Sequence, residues 1–482
     1  MILFDVIFMK GKNLLFVFAD QWRRSAIGYE GSEQVKTPRM DQFARESVYC
    51  TNAVSACPLC SPHRASMLTG RYPLSTGVIT NCKPELPYHL QDSEICISDV
   101  LKENGYNTGY IGKWHLDLPQ QRTGAFPESG AVRWDAFTPP GKGRHGFDFW
   151  YSYGAWDAHM HPHYWRDTPQ KIQIDQWSPE HETDVAINFM RSSQKPFALF
   201  VSWNPPHPPY DSVPQKYLDL YKDEIVPKAN SSMDRFLSHT VEATDDEGNR
   251  TSNMQKLKQY YAAISGLDEQ FGRILDFLKE SGLQDDTYVV LSADHGDMMG
   301  SHGLVGKHVW YEESIGIPFI VSGPGLHPGQ CGTVISSTDI MPTLLELLDL
   351  PVPPTVEGES CMDSIVQCKT AAEKVSYLGC YPGFWMYLRE FENAAMRIQD
   401  FGWRAIRTPQ YTFVIDIGYH PNAAPIPEFH LYDLKQDPLQ INDLITDANA
   451  YPFTNSVAKS LYQQLTAFME KSNDGMLAYL PR

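Results

Sequence analysis

The chain has 482 residues, of which 42% are hydrophobic and 12% aromatic, so it can bury a large core and is expected to form one large domain and a smaller one. Its formal net charge of -18 argues against tight binding of nucleic acid or another long polyanion, because the acidic protein repels it. The nine cysteines show no small-domain disulfide pattern, and no apolar run reaches membrane-spanning length.

The N-terminus leaves the compartment open. Residues 1–12 contain a short apolar patch, without a basic start or a cleavage site of small residues. The chain is therefore expected to be periplasmic or secreted if a signal peptide has been removed, and cytoplasmic otherwise.

Four apolar runs predict strands that are buried on both faces, as in a parallel sheet between helix layers. They cover residues 13–19, 108–111, 197–202 and 288–293. Polar residues follow each run, namely Asp20, Gln21, Lys113, His115, His207, Asp294 and His295. A single one of these is more often a helix cap or a turn residue. Because ligands of open α/β sheets bind beyond the carboxyl ends of the strands, we expect the four ends to converge on one site.

A helix is predicted over residues 60–70, which read Cys-Ser-Pro-His-Arg-Ala-Ser-Met-Leu-Thr-Gly. Pro62 favours the first turn and Gly70 favours the end, so Cys60 is expected at the helix start. Free backbone N–H groups and Arg64, one turn further on, favour an anion beside Cys60. The alternative is a buried cysteine at the start of a structural helix. Further helices are predicted over residues 38–48, 98–104, 254–281 and 339–350.

An irregular segment, residues 122–175, is rich in aromatic residues, glycine, proline and histidine. Aromatic faces with Arg and His edges suit a sugar ring that bears anionic groups. We expect substrate contacts from Arg144, His145, His161 and His163. Since His159, His161 and His163 alternate as in a strand, they are expected on one face. The alternative is a surface insertion that packs its own aromatic residues.

The residue pattern changes from helical spacing to strand-like alternation after residues 351–354, which read Pro-Val-Pro-Pro. Strand-like alternation over residues 401–407, 411–417 and 429–434 is followed by a predicted helix over 456–471. We therefore expect a catalytic domain over residues 1–360 and a C-terminal α+β domain with an antiparallel sheet over residues 361–482.

The stretch at residues 60–70 resembles the signature of the type I sulfatases, in which the cysteine is oxidised to formylglycine. His63 stands where that pattern usually has serine. The resemblance follows family order over Asp20, Cys60, Arg64, Lys113, His115, His207, Asp294, His295 and Lys307. It implies an α/β fold of the alkaline-phosphatase-like superfamily and maturation by a formylglycine-generating enzyme.

A divalent metal is the cofactor that the resemblance implies. Carboxylate and amide oxygens of Asp20, Gln21 and Asp294, with the oxidised side chain of residue 60, suit Ca²⁺, with Mg²⁺ as the alternative. His295 adds a nitrogen that tolerates a softer ion such as Mn²⁺.

The resemblance also implies the roles of the remaining site residues. A hydrated aldehyde at position 60 supplies the nucleophile, and Arg64 holds it. Lys113, Lys307 and His207 bind the sulfate. A histidine protonates the leaving alkoxide, His207 being favoured over His115.

The combination of Asp-Gln, Asp-His and Cys-Ser-Pro-His-Arg is similar to bacterial uronate 2-O-sulfatases. We therefore expect an exo-acting carbohydrate sulfatase for short glycosaminoglycan-derived saccharides such as 2-O-sulfated unsaturated uronides. A choline sulfatase or a phosphonate or phosphate monoester hydrolase on the same scaffold is the near alternative. More distant alternatives are a non-catalytic glycan-binding protein and a redox or zinc pair formed by Cys57 and Cys60.

Overall fold

The computed structural model describes residues 11–84, 86–121, 126–233, 237–238, 250–383, 390–421, 425–446, 451 and 453–481. The apolar patch of residues 1–10 and positions 122–125 of the aromatic segment lie outside the described residues.

A mixed sheet of eight strands forms the centre of the larger part. Its strands are β1 (Asn13–Asp20), β2 (Val48–Val54), β3 (Asn107–Lys113), β4 (Phe149–Tyr153), β7 (Phe197–Pro206), β9 (Thr287–Ala293), β11 (Phe319–Ser322) and β12 (Gly329–Ser336). They are ordered β12-β2-β11-β9-β1-β7-β3-β4. Only β11 runs antiparallel to its neighbours within this sheet, the other described pairs being parallel. Four short strands lie outside it, β5 (His163–Tyr164), β6 (Ile172–Gln173), β8 (Leu237–Ser238) and β10 (Leu304–Val305).

Helices pack around this sheet. They are α1 (Pro38–Arg45), α2 (Cys60–Thr69), α3 (Pro73–Thr76), α4 (Ile97–Glu103), α5 (Ser178–Ser192), α6 (Gln215–Leu218), α7 (Arg250–Glu280), α8 (Glu312–Ile315), α9 (Ser337–Leu347) and α10 (Met362–Val366). In the part of the chain that the structure describes, no helix combines the length and the apolar character needed to cross a bilayer.

The smaller part is an antiparallel sheet covered by a helix. Its strands follow in sequence order, β13 (Ser376–Cys380), β14 (Trp403–Arg407), β15 (Tyr411–Asp416) and β16 (Glu428–Asp433). The helix α11 (Ser456–Lys471) packs on it and shares its apolar core. The main sheet ends at Ser336 and the second begins at Ser376, so the boundary expected at residue 360 falls between them and stays a prediction.

The predicted fold class is confirmed, and so are the four apolar strands. All eight residues of β1 are buried, as are all seven of β9, which explains why these strands are apolar at nearly every position. Helix α2 begins at Cys60 and is closed by Gly70 at φ 67°, a backbone conformation that glycine adopts without strain.

The predicted helix over residues 38–48 is wrong at its end. Helix α1 stops at Arg45, and Val48 already pairs with Gly329 and Val321 in the main sheet. The strand β2 was missed because its apolar residues at the start continue the spacing of the preceding helix. Pairing with two distant strands overrides that local pattern.

Candidate active site

The ends of two central strands meet the start of helix α2 at one buried cluster. Asp20 is the last residue of β1, Asp294 follows β9, and Cys60 is the first residue of α2. Ligand atoms of Asp20, Cys60, Asp294 and His295 all lie within 4.8 Å of one another, and all four residues are buried. The structure therefore brings together four of the five residues predicted to bind a metal.

The sulfur of Cys60 is surrounded by charged and metal-binding groups. It lies 3.4 Å from Lys307 Nζ, 3.4 Å from His295 Nε2 and 3.6 Å from Asp20 Oδ1. Burial and the Asp20 charge raise the pKa of the Cys60 thiol, but Lys307, Lys113 and His295 outweigh them and hold it well below its usual range. The position thus stabilises a negatively charged atom.

The ring orientation of His295 follows from its other nitrogen. Nδ1 lies 3.0 Å from the carbonyl oxygen of Gly296, so the proton is assigned to Nδ1, which donates there. The lone pair of Nε2 then faces the cluster. Metal-binding imidazoles are commonly oriented in this way, by a hydrogen bond from the ring nitrogen that does not bind the metal.

Arg64 bridges the two carboxylates. Its Nη2 lies 3.1 Å from both Asp20 Oδ2 and Asp294 Oδ2, and its Nε donates to Asp294 Oδ2 at 3.2 Å. Nη1 donates to the carbonyl oxygen of Lys113 at 2.7 Å and to Ser202 Oγ at 2.8 Å. The guanidinium is buried and fixed by partners on three strands, so it is a rigid positive charge.

The pKa values of the two carboxyl groups are shifted in opposite directions. Burial alone would raise the pKa of Asp20, but Lys113, His207, Lys307 and Arg64 hold it well below its usual range. Burial and the adjacent Asp20 charge raise the pKa of Asp294 despite His295 and Arg64. A divalent cation between the carboxylates would remove this repulsion, so the donor set fits a hard ion such as Ca²⁺, Mg²⁺ or Mn²⁺.

Lys113 reaches the cluster from the end of β3. Its Nζ lies 2.7 Å from Asp20 Oδ2 and donates to Asn204 Oδ1 at 3.0 Å. Asn204 Nδ2 in turn donates to Asp157 Oδ1 at 3.0 Å and to the carbonyl oxygen of Trp156 at 2.9 Å. A buried ammonium is therefore held by two strands and by the aromatic segment.

Gln21 faces the cluster with its amide oxygen. That oxygen accepts from Lys307 Nζ at 2.7 Å, while Nε2 donates to Asp297 Oδ2 at 2.5 Å. The backbone N–H of Gln21 donates to Asp294 Oδ1 at 3.0 Å. An amide oxygen has a second lone pair, so the predicted metal contact of Gln21 fits this orientation.

His207 lies at the mouth of the cluster with a carboxylate beside it. Its Nδ1 is 3.4 Å from Asp157 Oδ1 and 2.9 Å from the carbonyl oxygen of Pro208. Burial alone would raise the pKa of Asp157, but His207 and Lys113 hold it below its usual range. Asp157 thus stays ionised beside this imidazole.

His115 occupies a different environment. Burial lowers the pKa of its imidazole, although the neighbouring Cys60 opposes that shift. Its backbone is fixed at the start of helix α2, since Ser61 Oγ donates to its carbonyl oxygen at 2.6 Å.

Two of the residues predicted to contact substrate are buried. Arg144 is buried and donates to the carbonyl oxygens of Thr138 and Arg166, besides pairing with Asp167. His163 is buried and its Nε2 lies 2.7 Å from Asp135 Oδ2. Protein groups thus bind both side chains, and Arg144 also lines the same groove as His145, so substrate contacts from these two residues stay a prediction.

The other predicted substrate contacts do not join the cluster either. His161 is exposed and pairs with Asp175 at 2.7 Å. His145 lines a separate groove of about 1150 Å³ and lies near Cys96 and Asp99. His159 contacts the carbonyl oxygen of His207 at 2.9 Å. The alternating histidines therefore have three different environments, because only His163 lies in a strand and the others lie in turns.

Sequence reasoning assigned no role to the supporting residues Asp157, Asn204, Tyr210 and Asp297. Tyr210 donates its hydroxyl to Asp297 Oδ2 at 2.7 Å, beside the amide of Gln21. Asn204 and Asp297 each lie within three residues of a predicted site residue, which is the local signal that could have found them.

The chain is similar to known proteins over most of its length. The profile of the sulfatase family matches residues 12–350, and that of the C-terminal part of N-sulphoglucosamine sulphohydrolase matches residues 300–471. The chain is 34% identical to an endo-4-O-sulfatase of Bacteroides thetaiotaomicron, over 96% of this chain and 92% of that protein. It is 33% identical to an ulvan-active sulfatase of Formosa agariphila, over 94% and 81% of the two chains.

Solved structures are similar over nearly the whole chain. The putative sulfatase yidJ of Bacteroides fragilis superposes with a TM-score of 0.82 at 34% identity and covers 98% of each chain. A Bacteroides thetaiotaomicron structure described in connection with the metabolism of glycosaminoglycans superposes with a TM-score of 0.83 at 30% identity, covering 98% of this chain and 100% of that chain.

Proposed function

Because this chain belongs to the sulfatase family, whose members hydrolyse sulfuric esters, we propose that it removes sulfate from a short sulfated saccharide by means of a formylglycine made from Cys60. The observation that carries the proposal is the position of Cys60, buried at a helix start between Asp20, His295 and Lys307. Such surroundings stabilise an oxygen nucleophile and a sulfate together.

Asp20, Asp294, His295 and the amide oxygen of Gln21 would hold the divalent ion, with residue 60 beside it. The ion, proposed to be Ca²⁺ with Mg²⁺ or Mn²⁺ as alternatives, would supply positive charge that polarises a sulfate oxygen. Arg64 holds the two carboxylates in place for it.

Lys113 and Lys307 would bind the sulfate oxygens. Both ammonium groups already lie near Asp20 or Cys60, and Lys113 is fixed by Asn204. Fixed cations stabilise the charge that builds up on the transferring group without reorganising, which is usually the largest contribution to such catalysis.

His207 would donate the proton to the leaving alkoxide. It is partly exposed, unlike the buried His115, and the carboxylate of Asp157 lies 3.4 Å from its Nδ1. His115 is buried and neutral, so we assign it a contact with the sulfate or with residue 60. An unassisted sugar alkoxide is a poor leaving group, and general acids contribute about 10²- to 10⁴-fold.

The saccharide class is supported by the two relatives at 34% and 33% identity, an endo-4-O-sulfatase and an ulvan-active sulfatase. The predicted preference for 2-O-sulfated unsaturated uronides, cleaved by an exo-acting enzyme, remains part of the proposal.

Since the structure described as a 2-O GAG sulfatase is only 19% identical, 4-O-sulfated disaccharides belong in the same test. A choline-sulfatase of Rhizobium meliloti is 28% identical, so choline sulfate and an aryl phosphonate complete the panel.

Maturation of Cys60 by a formylglycine-generating enzyme is part of the proposal. His63 is buried within α2, and its Nδ1 lies 2.9 Å from Ser55 Oγ. The side chain therefore belongs to the folded interior, whereas maturation requires access to the surrounding peptide, so it is expected to act on the chain before this helix is packed.

Two measurements test the function. Peptide mass analysis of the protein from a maturation-competent host is expected to show an aldehyde at position 60, and a substrate panel is expected to show sulfate release from a sulfated saccharide. The Cys60→Ala variant should keep its melting temperature and lose all turnover. An unmodified thiol, or full activity in that variant, would contradict the proposal and favour a glycan-binding protein.

A further inference from the structure

Three side chains of the kinds that bind metals meet beside the groove that His145 lines. Ligand atoms of Cys96, Asp99 and His145 all lie within 4.8 Å of one another. Cys96 is fully buried, whereas Asp99 is half-buried and lines the groove together with His145. None of the described residues that line this groove belongs to the cluster around Cys60. The three residues therefore form a second, separate cluster with access to solvent.

The imidazole of His145 has one ring nitrogen without a partner. The residue is only 3% exposed. Among the described residues, the structure gives a hydrogen-bond partner to Nδ1, which lies 3.3 Å from the carbonyl oxygen of Glu94. The proton is therefore assigned to Nδ1, and Nε2 keeps its lone pair. Because polar atoms of buried side chains usually have partners, this nitrogen indicates a ligand.

Cys96 and Asp99 come from the start of one helix. Cys96 directly precedes α4, and Asp99 lies three positions further on, so the two side chains are neighbours on the same side of the helix. One carboxylate oxygen is already engaged, since Asp99 Oδ2 accepts from the backbone N–H of Cys96 at 2.9 Å. That contact holds the carboxylate beside the thiol and leaves Oδ1 as the oxygen ligand.

The two segments that carry these ligands pack backbone against backbone. Ser98 Oγ donates to the carbonyl oxygen of His145 at 2.5 Å. A Cβ atom on Gly146 would lie 2.6 Å from the carbonyl oxygen of Ser98, which is too close for any residue other than glycine. The positions of Cys96, Asp99 and His145 relative to one another are therefore fixed before an ion binds.

We propose that Cys96, Asp99 and His145 bind a second divalent metal ion, of the thiophilic class to which Zn²⁺ belongs. A thiolate, an imidazole nitrogen and a carboxylate oxygen are ligands that Zn²⁺ holds at about 2.0–2.3 Å in tetrahedral sites. The fourth position, on the side of the groove, would take water or a donor atom of a bound molecule. Ca²⁺ and Mg²⁺ prefer oxygen ligands alone, so they do not suit this set. The thiol proton is released to solvent when the ion binds.

The charge of the groove favours a cation at this place. Of the described residues that line it, six are acidic and three are basic. A cleft with an excess of one sign of charge raises the local concentration of ions of the opposite sign. Helix capping alone would explain the contact of Asp99 with the backbone of Cys96, but it requires neither a thiol nor an imidazole.

Co²⁺ tests the site, because a thiolate bound to Co²⁺ produces an intense charge-transfer absorption band that oxygen and nitrogen ligands do not produce. The Cys60→Ala variant serves as the background, since the cluster at position 60 then contains no thiol. Titration of this variant, freed of metal, with Co²⁺ is expected to produce the band, and Zn²⁺ should then displace Co²⁺ and remove it. A titration without the band would overturn the site.

Cys96→Ser in the same background isolates the thiolate. This variant should lose the band and should bind Zn²⁺ at least about 100-fold more weakly in competition with a coloured chelator. Since serine is favoured directly before a helix, the metal-free variant should keep the circular dichroism spectrum of its parent. A folded Cys96→Ser variant that keeps the band would overturn the assignment.

Cys361→Ser is the matched control. Cys361 is also buried and also directly precedes a helix, α10, but it belongs to neither group of metal-binding side chains found in the described part of the chain. This variant should keep both the band and the Zn²⁺ affinity, and loss of the band would overturn the assignment to Cys96.

Asp99→Asn tests the oxygen ligand without removing the contact that holds it. Asparagine still offers an oxygen to the backbone N–H of Cys96, but it has no negative charge for the ion. Zn²⁺ should bind at least about tenfold more weakly, and an unchanged affinity would overturn the role of Asp99. None of these measurements uses catalysis, so failure of this site and failure of the proposed sulfatase activity are observed separately.

Discussion

The side-chain amide of Gln21 donates to the carboxylate of Asp297 at 2.5 Å, although the two residues are 276 positions apart. This contact decides which end of the amide faces the cluster. Since the nitrogen is held by Asp297, the oxygen points towards Lys307 and the site of the divalent ion. A carboxylate at position 21 could not make the same contact, because it has no proton to donate.

We expect Gln21→Glu to weaken both folding and metal binding, because two buried carboxylates would then face each other. The loss in the free energy of unfolding should be about 1–3 kcal/mol, as for a buried group that loses its partner. Adding Asp297→Asn restores a hydrogen-bond donor and should recover much of the lost free energy of unfolding. A double-mutant cycle checks this, with urea unfolding for stability and calorimetric titration for metal binding.

Tyr210→Phe is the matched control for that cycle, since it removes the other side-chain donor to Asp297 Oδ2 without changing any charge. It should cost about 1 kcal/mol and leave metal affinity nearly unchanged. Strictly additive effects of Gln21→Glu and Asp297→Asn would show that the two residues are not coupled.

Replacing His207 with alanine should slow saccharide desulfation about 10²- to 10⁴-fold, because the alkoxide then leaves without a proton. An aryl sulfate with an acidic phenol as leaving group should be affected far less. Asp157→Asn should give a smaller loss, since it keeps the imidazole and removes only the carboxylate that lies 3.4 Å from its Nδ1. Equal losses on both substrates in His207→Ala would assign the proton to another group.

Removal of the divalent ion by a chelator should abolish activity and lower Tm, because Asp20 and Asp294 then repel each other with only the buried cations of Arg64 and Lys113 to offset that repulsion. Adding back Ca²⁺ or Mg²⁺ should restore both, and the more effective ion identifies the cofactor. The variant Asp20→Asn/Asp294→Asn lacks the repulsion, so its Tm should not respond to the chelator. A chelator-induced fall of equal size in that variant would place the ion elsewhere.

Glu312 joins the two parts of the molecule and should make their association sensitive to acid. Its carboxylate binds Arg24 at 2.8 Å and Arg407 of β14 at 2.8 Å. Burial alone would raise the pKa of Glu312, but the two arginines lower it from 4.5 to about 2. Because the folded-state pKa is depressed, this stabilisation is complete above pH 4.5 and is lost as the pH falls towards 2.

The pKa shift of Glu312 corresponds to about 3 kcal/mol, so Glu312→Gln should lower the free energy of unfolding by roughly that amount at pH 7. In that variant the free energy of unfolding should also change less between pH 5 and pH 2 than in the wild type. The surface pair of Lys216 with Glu269 provides the control, since both side chains are about half exposed. Glu269→Gln should cost less than about 1 kcal/mol. Acid unfolding curves of the two variants check this, and an unchanged pH dependence in Glu312→Gln would contradict it.

Much of the fold followed from local patterns. The strands at Asn13–Asp20 and Thr287–Ala293 were recognisable because burial on both faces demands apolar residues at nearly every position. The helix Ser456–Lys471 matched its predicted bounds because an asparagine cap and helical spacing lie within the segment itself. The strand Val48–Val54 could not be read in this way, since its partners lie more than 260 positions away.

The sequence by itself determined which chemical groups are available, and that Cys60 begins a helix while Asp20 and Asp294 end strands, because the residues that fix these positions are neighbours in the chain. Only the tertiary structure decided which groups face one another. It put Asp297 against Gln21, Asp157 against His207 and His163, predicted to contact substrate, against Asp135. Side-chain direction at such contacts depends on the packing of segments that are far apart in sequence, and residue spacing carries no information about that packing.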